Sequence, residues 1–439
     1  QPKFLDYKKD LTFGKTSNGL PVIMKQNAED KLFDLQMRYE FGNEADTRYS
    51  YAANYLDLLG TNKISAEQIK QQFYKLACNF GINVSEKNIT VSLNGLAENM
   101  PQAIALAENV LKNAKTDKAA WKNFVAMVLK NREDTKKEQK SNFNAVKAYG
   151  IYGTYNNVLN DLSAEQLQNT NPADMVALIK KLSTYKHTVL YYGPATEKQL
   201  NTLISKEHKI ATKLADVPVN KPYMEQQTPK NEILLAPYDA KNIYMTMYHN
   251  EGKMFNPAEA PVAAVFNEYF GGGMNTVVFQ ELREARGLAY SARAYYYNMP
   301  IKNHPQYGTT YIISQNDKMM DCIRVFKEIL DTIPQNEANF NLAKQSLQKQ
   351  LASMRVTKMN IINSYINAKE RGLDYDINRS IYNALPSITL NDIVNYEKQN
   401  MANKPYRYII LGDEKNLNMN ALEKIAPIKR ISTKDIFGY

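Results

Sequence analysis

Arg283 and Tyr290 stand seven positions apart in the run FGGGMNTVVFQELREARGLAYSARAYYY, residues 270–297. An arginine brings a permanently charged fork of N–H donors, and a tyrosine brings a phenolic O–H. Aimed at one spot, the two can hold a peptide carbonyl and stabilise the negative charge that develops on it. The same spacing also suits an arginine paired with a nearby carboxylate beside a core tyrosine. The residues alone leave both readings open.

The elements that must position this pair are visible around it. Gly271, Gly272 and Gly273 open the run. Glycine tolerates positive φ and leaves no side chain in the way, so the triplet predicts a tight turn or a close approach to another backbone. Asn275 or Thr276 can cap a following helix by accepting from an unpaired N–H. Val277 to Ala285 continue it for about three turns, and Gly287 stands where a helix-ending glycine belongs. From Leu288 onward small and aromatic residues alternate, a strand pattern. Arg283 then lies on the last helical turn and Tyr290 near the start of the strand, and a helix-to-strand corner can point both at one place. Tyr295, Tyr296 and Tyr297 line a cavity or pack the strand, and the sequence allows either.

Over residues 270–291, FGGGMNTVVFQELREARGLAYS resembles the second-domain signature of the pitrilysin/insulinase zinc metallopeptidases, which include the mitochondrial processing peptidases. The resemblance implies that Arg283 and Tyr290 reach into the zinc site, bind substrate and help stabilise the tetrahedral intermediate. It implies that Gly271, Gly272 and Gly273 form a loop lining the substrate chamber. It also implies two α+β domains per half, and two halves that close like a clamshell.

The rest of the chain reads as one unit written twice. KLFDLQMRYEFG (residues 31–42) and NIYMTMYHNEGK (242–253) are both strand-like and both lead into helices. The helix expected over 65–76 corresponds to that over 276–286, and the strand expected over 82–95 to that over 288–297. Helical spacing follows over 100–115 and 318–332, then over the long stretches 118–148 and 338–371. Short helices at 171–182 and 389–400 precede the strands HTVLYYG (187–193) and YRYIILG (406–412). Such repetition is the strongest organisational signal a sequence carries. It predicts two tandem domains, residues 1–222 and 223–439, joined at the proline-rich, polar stretch PVNKPYMEQQTP (218–229). Strands and helices mix without strict alternation. This argues α+β, each domain a mostly antiparallel sheet with helices over one face. Leu35, Met37 and Tyr39 read as sheet packing.

Composition narrows the function classes. The 439 residues carry 55 Lys+Arg against 45 Asp+Glu, a formal charge of +10. The basic residues are scattered, and the densest run, KNREDTKKEQK at 130–140, is mixed in sign, so no nucleic-acid patch is expected. No apolar run approaches the roughly 18 residues of a membrane span. Cys78 and Cys322 each sit in an apolar helical pattern and are expected as free thiols. No Gly-Lys-Ser/Thr follows the glycines and no serine elbow surrounds Ser291, which argues against nucleotide binding and a serine triad.

A metal site is not expected in this chain. The family's active domain carries HxxEH on its first long helix, two histidines on one face gripping zinc and a glutamate acting as base on the bound water. Here the four histidines, His187, His208, His249 and His304, are far apart in sequence. Asn54, Asp57 and Leu58 stand about where the motif would fall. YLDLLGTNKIS (55–65) and FLDYKKDL (4–11) instead resemble the zinc-free second half of four-domain relatives. The resemblance therefore implies a zinc-free half or subunit of a metalloendopeptidase. It would bind peptide and complete the active site of an HxxEH-bearing partner that holds the zinc. The alternative is a catalytically inactive structural or assembly subunit with the same fold. Exported bacterial relatives share the tyrosine- and asparagine-rich composition, so the periplasm or cell envelope is the expected compartment, and otherwise the cytoplasm.

Overall fold

The computed structural model describes residues 2–439. Among these residues twelve strands form two sheets. The first domain contributes β1 (Thr12–Lys15), β2 (Pro21–Gln26), β3 (Leu32–Tyr39), β4 (Cys78–Val84), β5 (Ile89–Leu96) and β6 (Thr188–Gly193). The second contributes β7 (Glu232–Ala236), β8 (Asn242–His249), β9 (Ser291–Tyr297), β10 (Tyr307–Gln315), β11 (Arg407–Leu411) and β12 (Ile428–Arg430). The orders are β1-β2-β6-β3-β5-β4 and β12-β7-β11-β8-β10-β9. Five strands of each sheet correspond: β2 with β7, β6 with β11, β3 with β8, β5 with β10 and β4 with β9. Antiparallel pairing holds among the last four strands of each order, and β2/β6 and β7/β11 are parallel. The mixed α+β architecture and the repeat are as the sequence predicts. The far edges differ: β1 joins β2 antiparallel, whereas β12, from the C-terminal end, joins β7 parallel.

Several boundaries move. The single strand expected over 82–95 is a hairpin, β4 and β5, turning at residues 85–88. Cys78 therefore lies on a strand rather than in a helical pattern, because Ala77, at φ 49°, has already ended the helix. Cys322 is helical, and both thiols are free and buried.

The two long helical stretches are each broken. Lys118–Thr135 gives way to Gln139–Tyr152, and Glu337–Ser353 to Met359–Glu370. At the first break the Asn142 amide donates to Lys136 O (2.7 Å), a carbonyl beyond the end of the first helix, and to Glu138 O (2.9 Å), which also accepts Asn142 N–H. At the second, Lys358 takes φ 58°.

Each second segment crosses to the other domain. Phe143, Val146 and Ile151 pack on Leu234, Ile409 and Leu411 of the second sheet. Met359, Ile361 and Ile362 pack on Leu190 and Tyr192 of the first. The second sheet is thus covered on both faces at β11, which is buried at all five positions, whereas in the first sheet the crossing helix lies over β2 and β6 and β3 still alternates. Gly150 is required at the first crossing, since a Cβ there would lie 2.4 Å from Ile409 Cδ1. The connecting stretch 218–229 is pinned by backbone hydrogen bonds from Lys221 to Glu44, Gln226 to Ile151 and Thr228 to Asn250. The repeat survives in the sheets, but the helices tie its two copies into one body.

Candidate functional site

The corner that carries Arg283 and Tyr290 begins where helix Ala260–Phe270 stops. Gly271 N–H donates to Asn267 O, and Gly271 O accepts from Ala294 N–H, both at 2.9 Å. A Cβ on Gly271 would lie 2.6 Å from each of Ala294 O and Asn267 O. Both readings of the triplet are realised: Gly271 makes the close approach, and Gly273 opens a turn in which its carbonyl accepts from Thr276 N–H at 3.1 Å. Gly272 and Gly273 are exposed and have room around them. None of the three has positive φ.

Thr276 occupies the N-cap position, but its hydroxyl donates back to Gly273 O (2.7 Å) and caps nothing. The expected three-turn α-helix is instead one α turn, Val277–Phe279, and a π segment, Gln280–Glu284. The wide turn is marked by Ala285 N–H donating to Gln280 O at 2.8 Å. Such segments are rare and cluster at functional sites. Leu282 anchors the segment in the core, and Arg283 beside it faces solvent. Gly287 then reverses the chain at φ 58°, with Leu288 N–H bonded to Leu282 O at 2.8 Å. Tyr290 N–H joins Ile313 O (2.9 Å) just before β9 begins.

Arg283 and Tyr290 flank this reversal on exposed positions. The guanidinium lies 5.0 Å from the centroid of Phe279, one turn back, which supports it without consuming its donors. Tyr290 is 59% exposed. Among the described residues neither the guanidinium nor the phenol has a hydrogen bond or an ion pair. The carboxylate-paired arginine and the core tyrosine are therefore not what the fold contains. Nearby, Arg286 pairs with Glu281.

β9 is an edge strand, yet its edge is not free. Ala294 N–H is taken by Gly271 O, and the Asn267 side chain binds both Tyr296 N–H (2.8 Å) and Tyr296 O (3.0 Å). A guest peptide cannot simply add as a further strand at those positions. The tyrosine triplet divides. Tyr296 is core, while Tyr295 and Tyr297, in edge-to-face contact at 4.7 Å, wall a cavity of about 620 Å³ between the domains. Tyr152, Glu44 and Glu86 face them from the first domain. This wall is built only when the two domains meet, so no local pattern announced it.

The four histidines are all buried. His187 Nδ1 meets Tyr185 O at 2.7 Å, its Nε2 meets His208 Nε2 at 2.8 Å, and His208 Nδ1 meets Glu108 at 2.5 Å. Burial pulls His187 down to about 4, so it accepts from His208. His304 Nδ1 meets Glu225 at 2.8 Å, and His249 Nδ1 meets Pro405 O at 2.8 Å. Among the described residues no three His, Cys, Asp or Glu side chains gather as metal ligands. Where the zinc motif would fall, Asn54 donates to Ser50 O (2.9 Å) and Leu58 is exposed, a donor set that does not fit zinc.

Comparisons with known proteins bear on the family and the fold. Residues 170–347 match the family model described as Peptidase M16 inactive domain, a stretch that includes the glycine turn, Arg283 and Tyr290. No curated protein sequence matches the chain. Among solved structures, a peptidase M16 inactive domain from Pseudomonas fluorescens superposes with a TM-score of 0.71 at 15% identity, covering 92% of this chain and 98% of that one. A protease from Helicobacter pylori gives 0.66 at 11% identity, covering 94% and 99%. The periplasmic protease PqqL from Escherichia coli gives 0.70 at 16%, covering 94% of this chain but 46% of that one. The chain thus spans just under half the length of PqqL. The resemblance to this family read from residues 270–291 is borne out, and the matching model is that of its inactive domain, in line with the zinc-free half read from residues 4–11 and 55–65.

Proposed function

We propose that this chain is the zinc-free half of an insulinase/pitrilysin-type metallopeptidase, binding peptide and completing the active site of a partner half that carries HxxEH. The observation that carries the reading is the exposed Arg283 and Tyr290, neither with a hydrogen bond or an ion pair among the described residues, at a π-wound corner. An unpaired guanidinium and phenol held on a rigid corner are donors available to a substrate. Zinc belongs to the partner, where it would activate the attacking water. The residues here bind the scissile amide's carbonyl and steady the oxyanion. Gly272 and Gly273 leave the approach unobstructed, and Tyr295 and Tyr297 offer flat apolar surface to a peptide passing between the domains. By the same reading the assembled peptidase works on peptides in the periplasm or cell envelope, which fractionation would test.

The test is reconstitution. The chain is mixed with an HxxEH-bearing half and peptide turnover is followed for wild type and Tyr290→Phe. Loss of one oxyanion donor raises the barrier by roughly 3 kcal/mol, on the order of a hundredfold in rate. Undiminished turnover removes Tyr290 from the mechanism. Hydrolysis by the lone, metal-stripped chain overturns the division of labour. Copurification with a partner lacking HxxEH favours a structural subunit instead.

A further inference from the structure

We infer that the first domain carries a binding site for a single-chain anionic amphiphile, of the long-chain carboxylate class. A cavity of about 550 Å³ opens between the inner face of the first sheet, helix Met100–Asn113, helix Pro172–Lys181 and residues 208–211. Its floor is apolar: Leu93, Ile104, Ala107, Ile179 and Leu182. Its exposed rim carries Lys112, Lys180 and Lys209. Among the described residues none of these three ammonium groups has an ion pair.

Charge complementarity selects the occupant. The acid on the lining is Glu108, and it is already engaged by His208 Nδ1 at 2.5 Å. The remaining polar side chains, Tyr39, Asn109, Asn113 and Ser183, are neutral. The mouth therefore offers three uncompensated positive charges over a greasy floor. A cationic or neutral guest would leave those charges without a partner, and an inorganic anion would leave the floor unfilled. Burying an alkyl chain removes apolar surface from water, while the carboxylate stays at the rim within reach of the lysines. The size fits one chain. Small-molecule pockets run from about 300 to 1,000 Å³. At roughly 30 Å³ per water-sized group, this one holds on the order of 18 heavy atoms.

The probe is dodecanoate, titrated below its micelle concentration into the full chain and followed by calorimetry. Saturable one-to-one binding is expected, with dodecanol and dodecylammonium binding at least tenfold more weakly. Two variants locate it. Ala211→Trp places an indole at the mouth and abolishes binding. Lys112→Glu/Lys180→Glu/Lys209→Glu, all on the surface, weakens dodecanoate at least tenfold with circular dichroism unchanged. No saturable dodecanoate binding, equal binding of dodecylammonium, or full binding by both variants overturns the site. Binding to anionic phosphatidylglycerol vesicles without binding of free dodecanoate overturns it in favour of a membrane surface.

Discussion

Counted from the left-handed residue at each helix-to-strand corner, the two domains put different side chains in the same places. In the second domain that residue is Gly287 (φ 58°), with Arg283 four before it and Tyr290 three after. In the first it is Ala77 (φ 49°), and the same positions hold Phe73 and Phe80. The phenylalanines stack on each other, centroids 5.5 Å apart and planes 14° apart. The helix before them, Ala66–Lys75, is a regular α-helix with a full Ser65/Gln68 capping box. Its counterpart is π-wound and uncapped. One corner is closed on itself for stability, and the other holds two polar groups open to solvent. The fold does not require an exposed pair there, so its presence in one copy calls for a role outside the fold.

The largest expected effect tests the closed corner. Phe73→Ala should destabilise the chain by about 4 kcal/mol, through lost burial and the cavity left against Phe80, read from urea unfolding. Arg283→Ala, on the surface, should shift stability by no more than about 0.5 kcal/mol. If the two cost the same, the corners do not differ in the way their geometry implies.

Next in size is the kinetic half of the contrast. In a reconstituted peptidase, Arg283→Ala should lower kcat/KM on the order of a hundredfold, about 3 kcal/mol of barrier. Phe73→Ala, assayed while folded, should leave kcat/KM near wild type. A Phe73 variant that loses as much activity as the Arg283 variant would show that the assay reports assembly rather than chemistry.

The domains also bury titratable groups of opposite sense. In the first, desolvation, reinforced by neighbouring His208, pulls His187 down to about 4. The unfolded chain takes that proton below about pH 6.5, so stability falls as pH drops from there toward 4. In the second, burial and then nearby Asp331 push Glu397 up to about 8. The folded chain keeps that proton where the unfolded one releases it, so stability is full below about pH 4.5 and falls as pH rises through 8. Each limb should amount to about 2–3 kcal/mol. The two windows overlap between about pH 4.5 and 6.5, where the contributions oppose each other, so His187→Gln should leave stability falling with rising pH through that range and Glu397→Gln should leave it rising. Unchanged limbs in both variants would assign the pH dependence to other groups.

Much of this was legible because repetition needs no knowledge of packing. The matched strands at 31–42 and 242–253, and the glycine-to-strand run at 270–297, kept their identity in three dimensions. The exchange of helices was not read. An amphipathic helix shows that it buries a face but not whose sheet it meets. A signal was nonetheless present, since YRYIILG and IYMTMYH are nearly all apolar, as strands covered on both sides must be. The π segment has no sequence period of its own. Phe73 and Phe80 take on their meaning only once the left-handed residue gives the two corners a common origin.

The smallest effect sharpens that origin. A left-handed residue with a Cβ costs roughly 1–2 kcal/mol, offset by the entropy a glycine loses on folding, about 0.5–1 kcal/mol. A Cβ on Gly287 meets no atom within 4 Å, so only the backbone preference is at stake there. Gly287→Ala should therefore destabilise by about 1 kcal/mol, and Ala77→Gly should stabilise by somewhat less, both read as shifts in the urea midpoint. Because Gly287 sets the angle between the π segment and β9, its variant should also lower peptide turnover, whereas the Ala77 variant should not. Equal and opposite stability shifts without that kinetic asymmetry would mean that the corner's geometry matters to folding alone, and would take the open pair's positioning out of the mechanism.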